Sequence, residues 1–151
     1  MTDHAHKLLL PKNPGVVGYT CGAFDLFHAQ HVKFLEECKH NCDYLIVGLA
    51  TDERIKEYKH PDRPIIPYEH RLIVLSALRV VDLILPDEEG PIPYLSSGQI
   101  DVYVKGIDWR GNLPTEETDL ARSMGFLIQY ITVSGLMSTT DIVEKVKGGH
   151  S

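Results

Sequence analysis

The chain has few cysteines, no long apolar run and no excess of basic residues, and each shortage excludes a class of protein. Cys21, Cys38 and Cys42 cannot all pair and lack the two-residue spacing of zinc ligands, so neither a disulfide framework nor a zinc module is expected. The longest apolar runs, residues 44–50 and 72–78, fall short of the roughly 18 residues of a membrane span. The net charge of −6 argues against a general nucleic-acid-binding protein and against a binder of anionic membranes.

The rest of the composition is typical of one ordinary globular domain. A chain of 151 residues lies within the roughly 100–200 residues of a single domain, so we expect one domain over residues 1–151. We expect residues 1–14 to form a flexible extension. The first residues contain neither a long apolar stretch nor a small-residue cleavage pattern. No secretory signal is therefore predicted, and the expected location is the cytoplasm.

Short apolar runs alternate with helical patterns along the chain. The β-rich, nearly unbroken apolar runs are residues 16–20, 44–49, 83–85, 102–105 and 127–131. Apolar stripes with helical spacing or helix start and stop signals occur at residues 32–38, 72–78, 115–124 and 139–147. This alternation predicts an α/β fold, Rossmann-like and doubly wound, in which a mostly parallel five-stranded sheet has helices on both faces. The ligand crevice of such a sheet lies at the carboxyl ends of its strands.

The segment after the first predicted strand carries the main functional motif. Residues 21–31 read Cys-Gly-Ala-Phe-Asp-Leu-Phe-His-Ala-Gln-His and enter the first predicted helix. A helix N-terminus exposes unpaired N–H groups and favours a phosphate, and Gly22 lets the backbone approach a ligand closely. His28 and His31 are three residues apart, so both imidazoles lie on one helix face, where they can bind neighbouring phosphate oxygens. The alternatives are two partly exposed polar histidines, or a zinc pair that lacks a third ligand.

Strand, turn and helix together resemble the His-x-Gly-His nucleotidyltransferase superfamily. More narrowly, they are similar to the cytidylyltransferases that act on glycerol 3-phosphate, ethanolamine phosphate and choline phosphate. Further blocks are similar in the same order, from about Gly18 to Lys147. They are residues 43–48 with 51–53, Tyr58-Lys59 with Pro64-Ile65, residues 68–71, 104–109 and 138–142.

The resemblance implies that the protein transfers CMP from CTP to a small phosphorylated alcohol and releases pyrophosphate after in-line attack on the α-phosphorus. His28, His31 and Lys59 are the implied catalytic residues. The implied nucleotide-binding residues are Gly22, Ala23, Phe24, Asp25, Arg71, Gly106, Asp108, Trp109, Ser138 and Thr139. Mg²⁺ is expected to accompany the triphosphate without dedicated protein ligands. By the same resemblance we expect a homodimer. The net charge predicts neither a nucleic acid nor a membrane as partner.

Two departures from the family pattern keep alternatives open. Gln30 stands where the family has glycine, and the closing block, residues 131–137, has no arginine where many members have one. The cations that could replace it are Arg54, Arg63, Lys105 and Arg110. Glycerol 3-phosphate is the favoured acceptor, because of the Gly-x-Asp-Trp block, with ethanolamine phosphate or a sugar phosphate as alternatives. The other hypotheses are an adenylyltransferase of the same superfamily and a nucleotide-binding module that has lost turnover.

Overall fold

A computed structural model of the chain describes residues 7–149 and shows an open five-stranded sheet. The strands are β1 (Val17–Gly22), β2 (Tyr44–Ala50), β3 (Leu83–Asp87), β4 (Val102–Gly106) and β5 (Leu127–Ile131). Their order across the sheet is β3-β2-β1-β4-β5, and every neighbouring pair is parallel. The predicted strands and the parallel sheet are confirmed, with strand ends that differ from the prediction by two residues or fewer.

The connections between the strands are helical. The helices are α1 (Ala29–His40), α2 (Asp52–Tyr58), α3 (Tyr68–Ser76), α4 (Ile92–Leu95), α5 (Thr115–Met124) and α6 (Thr139–Gly148), with a 3-10 turn at Ile107–Trp109. The sequence did not predict α2 and α4, because both are too short to show a helical period; α2 fully buries only Ile55. No helix within residues 7–149 is long and apolar enough to cross a membrane.

Helices cover both faces of the sheet, and each face has its own apolar core. On one face, Tyr19 and Tyr103 of the sheet pack with Leu95 of α4 and with residues of α5. On the other face, strand residues pack with Leu35 of α1 and Leu75 of α3. The chain therefore changes faces between β3 and β4, as in a doubly wound fold.

The change of face places a crevice between β1 and β4, where the strand order reverses. The ladder between these strands pairs Gly18 with Val102 and Tyr19 with Tyr103. Beyond these pairs the Thr20 hydroxyl donates to the Val104 carbonyl oxygen (2.8 Å). The carboxyl ends of the two strands are thus held by a side chain, and they border the candidate site.

The predicted flexible extension, residues 1–14, lies partly outside the described residues, which begin at residue 7. Leu8 is buried in the core on the α4 and α5 side. Its N–H donates to Gln99 Oε1 (2.6 Å), and Gln99 Nε2 donates to its carbonyl oxygen (3.0 Å). From Leu8 onward the segment is thus docked on the domain instead of extending freely, because both backbone groups and the side chain have partners. That the whole chain forms one domain stays a prediction.

Candidate active site

A cleft of about 400 Å³ opens at the carboxyl edge of the sheet, beside the ends of β1 and β4. Its walls come from the β1–α1 turn, the first turn of α1, the loop after α2, the end of β4 and the start of α6. The predicted site residues that line it are Gly22, Ala23, Phe24, His28, His31, Lys59, Gly106, Asp108, Trp109, Ser138 and Thr139. Segments far apart in the sequence therefore meet at one crevice.

The β1–α1 turn has an unusual backbone. Phe24 (φ 49°) and Leu26 (φ 50°) both adopt the left-handed region, which non-glycine residues rarely occupy and which is costly. Asp25, between them, accepts hydrogen bonds from the N–H groups of Ile65 (2.7 Å) and Ile66 (2.9 Å). The Asp25 carboxylate therefore holds the turn against the segment before α3. Asp25 does not line the cleft, so its predicted nucleotide contact is replaced by a positioning role.

The two histidines form the N-terminal cap of α1. His28 Nδ1 accepts from the Gln30 N–H (3.3 Å), and His31 Nδ1 accepts from the His28 N–H (3.3 Å), which completes a capping box. Because each Nδ1 is an acceptor, these hydrogen bonds assign the ring proton to Nε2 in both side chains. The ring centroids are 4.0 Å apart. The cap therefore fixes the tautomer, and leaves each Nε2–H as the remaining donor.

The surroundings of the two rings differ. His28 Nε2 lies 2.9 Å from the Thr139 hydroxyl oxygen, which joins the start of α1 to the start of α6. His31 stacks on Phe27 (5.2 Å between centroids) and meets the edge of Phe24 (5.5 Å). Across residues 7–149, no group accepts a hydrogen bond from His31 Nε2. The aromatic packing fixes the His31 ring and leaves that donor at the cleft wall.

Both imidazoles are neutral near pH 7. Burial, with smaller contributions from the nearby His28 and Lys59, lowers the pKa of His31 to about 4, against an opposing effect of Asp25. Burial also lowers the pKa of His28. Although much of the Lys59 side chain is exposed, desolvation of its ammonium lowers its pKa, and Arg63 adds to this effect. An anion entering the cleft would oppose these shifts, because it favours the protonated forms.

The end of β4 supplies the opposite wall. At Gly106 a Cβ atom would lie 2.7 Å from Asp108 Oδ1, so a larger residue would displace that carboxylate. Trp109 is 41% exposed at the cleft mouth, which excludes a role as a core aromatic. The Lys105 ammonium lies 4.4 Å from the Trp109 ring centroid. A carboxylate, an indole and an ammonium therefore face the ligand space together.

The first turn of α6 closes the site. Ser138 Oγ accepts from the Asp141 N–H (3.1 Å), and Asp141 Oδ2 accepts from the Ser138 N–H (2.9 Å). Ser138, Thr139 and Thr140 all line the cleft. A second helix N-terminus, with its partial positive charge, thus faces the same space as that of α1.

Arg71 is placed differently from the prediction. Its side chain is buried, and it donates to the carbonyl oxygens of Ile66, Ala23 and Ala50 (2.8 Å each). It also pairs with the Asp52 carboxylate (2.7 Å). The expected phosphate contact is therefore corrected: the guanidinium is turned inward, where three backbone carbonyl groups and a carboxylate accept from it.

Several lining residues were not predicted as site residues. They are Cys21, Gln30, Phe34, Lys105, Ile107, Ile131, Val133 and Thr140. Of the four cations considered as replacements for the absent arginine, Lys105 lines the cleft, whereas Arg63 pairs with Asp25 (3.5 Å). A charged residue at the end of an otherwise apolar strand was the signal that could have identified Lys105.

The fold and the site together define the class of protein to which the chain belongs. A doubly wound parallel sheet whose switch-point crevice combines two helix N-termini, paired imidazoles and lysines is built to hold a nucleotide by its phosphates. The chain belongs to the cytidylyltransferase-like family, whose model matches residues 19–145. The resemblance drawn from the sequence is thereby confirmed.

Curated relatives agree with this assignment, and a solved structure shares the fold. The chain is 38% identical over 131 residues to the bifunctional protein HldE of Granulibacter bethesdensis, covering 86% of the chain and 27% of that protein. It is 36% identical over 135 residues to HldE of Syntrophotalea carbinolica, covering 86% and 26%. It thus spans roughly a quarter of the length of these curated relatives. The crystal structure of the lipopolysaccharide core biosynthesis protein from Thermoplasma volcanium shares the fold (TM-score 0.62, 24% identity, covering 82% of this chain and 99% of that one).

Proposed function

We propose that the protein is a nucleotidyltransferase, which transfers a nucleoside monophosphate from a nucleoside triphosphate to a small phosphorylated acceptor. The observation that carries this proposal is the pair of neutral imidazoles at the α1 N-terminus, with Nε2 as the donor and a second helix N-terminus beside them. Membership of the cytidylyltransferase-like family supports the same activity. Pyrophosphate is the second product.

The histidine side of the cleft binds the triphosphate in this proposal. His31 Nε2–H donates to a phosphate oxygen, and a phosphate oxygen takes the place of the Thr139 hydroxyl as acceptor for His28. Because both rings are already oriented by the cap, little reorganisation accompanies binding. Lys59 adds a positive charge from the loop after α2.

The chemical step is a direct displacement. A phosphate oxygen of the acceptor attacks the α-phosphorus, and the bond from that phosphorus to the bridging oxygen breaks. The electron pair of that bond leaves with pyrophosphate, and no covalent enzyme intermediate is required. Donors fixed around the phosphates stabilise the charge that develops in the transition state, which is how such transfers are accelerated.

Mg²⁺ fits this site as a companion of the triphosphate. Within residues 7–149, no group of three or more His, Cys, Asp or Glu side chains is placed to hold a metal ion. A triphosphate-bound Mg²⁺ needs few protein ligands, because phosphate oxygens and water hold most of its coordination shell. When bound, the ion would neutralise charge on the leaving pyrophosphate.

The specific reaction proposed first is cytidylyl transfer to glycerol 3-phosphate, in line with the family description and the Gly-x-Asp-Trp block. Adenylyl transfer to a sugar phosphate is the second candidate. The observation that favours it is the similarity to HldE proteins. Both relatives described above carry that name, and neither is named a glycerol-phosphate cytidylyltransferase. A homodimer is also proposed, to be tested by analytical ultracentrifugation.

The test is pyrophosphate release from CTP and from ATP with glycerol 3-phosphate, glucose 1-phosphate and ethanolamine phosphate. We expect release with one nucleotide and at least one acceptor, and its loss in the His31→Ala variant. Folded protein that binds nucleotide in calorimetry, but releases no pyrophosphate with any pair, would instead identify a binding module. In that case Gln30→Gly, which restores the family pattern, tests whether Gln30 prevents turnover.

A further inference from the structure

Lys105 is a buried cation whose charge is unpaired in the described part of the chain. It lies near the end of β4, is 8% exposed and lines the cleft. Between residues 7 and 149 its ammonium forms no hydrogen bond or ion pair; the rings of Trp109 (4.4 Å) and Tyr103 (5.8 Å) lie beside it, and its charge acts on the Glu117 and Asp87 carboxylates only from beyond ion-pair distance. An incoming anion gains more from a desolvated ammonium than from an exposed one, because the surroundings screen the charge less.

Lys105 and the histidines lie on different faces of the sheet. Residues 103 and 105 of a strand point to the same face, and Tyr103 belongs to the core on the α4 and α5 side. Phe24, which contacts His31, belongs to the core on the α1 and α3 side. The histidine side already has a cation, Lys59, whose charge acts on His31. The cleft thus has two separate cationic positions.

We infer that Lys105 binds the phosphate of the acceptor, and that the acceptor is a phosphorylated polyol rather than a phosphorylated amine. This inference rests on the proposed function. The reaction brings an anionic phosphate monoester towards an anionic triphosphate, so a positive charge on the acceptor side offsets their repulsion. The base and the ribose of the nucleotide carry no net charge that would match Lys105.

The contact with Trp109 excludes an amine. An ammonium group of ethanolamine or choline phosphate is recognised by an open aromatic face. Here Lys105 Nζ already lies over the Trp109 ring, and a second cation at that place would meet a like charge. The hydroxyl groups of a polyol are neutral, and the Asp108 carboxylate at the same wall can accept hydrogen bonds from them.

The experiment measures pyrophosphate release with the nucleotide that the wild type uses and with glycerol 3-phosphate, glucose 1-phosphate or ethanolamine phosphate. Lys105→Met, which keeps the length but not the charge, should raise KM for the polyol phosphates on the order of tenfold while KM for the nucleotide changes about twofold or less. Lys105→Arg should recover part of the loss. Lys12→Met, the same substitution at an exposed lysine outside the lining of the cleft, is the matched control and should resemble the wild type.

The two polyol phosphates distinguish a glycerol acceptor from a sugar acceptor. An unchanged acceptor KM in Lys105→Met, a change confined to the nucleotide KM, or a wild-type preference for ethanolamine phosphate would each overturn the inference. If no acceptor yields pyrophosphate with CTP or ATP, the proposed function fails. Calorimetric titration of glycerol 3-phosphate and glucose 1-phosphate then decides separately: binding that is lost in Lys105→Met supports the inference, and equal or absent binding overturns it. Circular dichroism monitors folding, with Lys105→Gln as the substitute should Lys105→Met not fold.

Discussion

The N-termini of α1 and α6 have the same type of cap, built from different side chains. In α6, Ser138 and Asp141 form a capping box with ordinary residues for these positions. In α1, His28 and His31 occupy the corresponding positions: His31 accepts from the N-cap N–H as Asp141 does, and His28 accepts from the Gln30 N–H, one residue earlier than in α6. The two helix starts touch through His28 and Thr139 (2.9 Å). One of them is therefore a natural reference for the other.

The difference between the two caps lies in what remains after capping. The Ser138 hydroxyl and the Asp141 carboxylate bring no fixed N–H donor to the cleft. An imidazole that accepts at Nδ1 retains an N–H at Nε2, held in a fixed direction. The comparison indicates that the histidines combine a structural role, common to both helices, with a donor role found only at α1.

The largest effect is expected from removing the α1 donors. We expect His31→Ala to lower kcat by roughly 10²–10³, because a fixed donor to the transition state is lost, and His28→Ala to act similarly. His31→Asn is the matched control for the cap, because its side-chain oxygen can accept from the His28 N–H without presenting an imidazole donor. Single-turnover kinetics of all three should show the same loss of rate. A wild-type rate in either alanine variant would show that the histidines only cap the helix.

The second effect is on the pH dependence of folding. The pKa of His31 is about 4 in the folded protein and near 6.5 when exposed, so between these values the unfolded chain binds a proton that the folded chain excludes. The free energy of unfolding should therefore fall as the pH decreases from about 6.5 to about 4. Urea denaturation at several pH values measures this slope. The His31→Asn variant should show a flatter dependence of the free energy of unfolding on pH. An equally steep dependence in that variant would mean that other titratable groups cause it.

The third effect is expected from a change in the cap of α6, the helix that serves as the reference for α1. Ser138→Ala removes one hydrogen bond of the α6 cap and should reduce the free energy of unfolding by about 1 kcal/mol. We expect its effect on kcat to stay below about tenfold, since the backbone N–H groups of α6 remain in place. Thermal denaturation and steady-state kinetics test both points. A loss of rate as large as that of His31→Ala would mean that the two caps do not differ in function.

The smallest effect is expected at Gln30, in the first turn of α1. Gln30→Gly should cost about 0.5–1 kcal/mol of stability, because glycine loses more backbone freedom in a helix. With an active wild type, kcat should change by less than about tenfold, because the donors of both histidines are retained. The variant is compared with the wild type in the pyrophosphate assay. A large gain in rate would show that Gln30 obstructs the triphosphate.

The sequence was sufficient for the strands and for the histidine turn, because both depend on local patterns. Buried parallel strands read as apolar runs, and His28 and His31 lie within one helical turn. The role of Arg71 was not readable, since an arginine at a helix start looks the same whether it points inward or outward. Its partners Ala23 and Ala50 belong to other segments, which only the folded chain brings together.

The docking of residue 8 has a similar explanation. Leu8 is one apolar residue within a short segment, and its partner Gln99 is 91 positions away. No local sequence pattern predicts such a pair. A long separation in sequence also divides the two walls of the cleft, so the local pattern that predicts the histidine turn carries no information on what Lys105 faces.

The hydrogen bonds of Arg71 have a consequence for mutational screens. This side chain joins the turn after β1, which borders the cleft, to the end of β2 and the segment before α3, so its replacement would loosen that border together with its supports. A screen scored by product alone would register the same defect as the loss of a ligand contact. Protease resistance measured beside product formation separates the two, because scaffold damage alters both readings and a lost contact alters one.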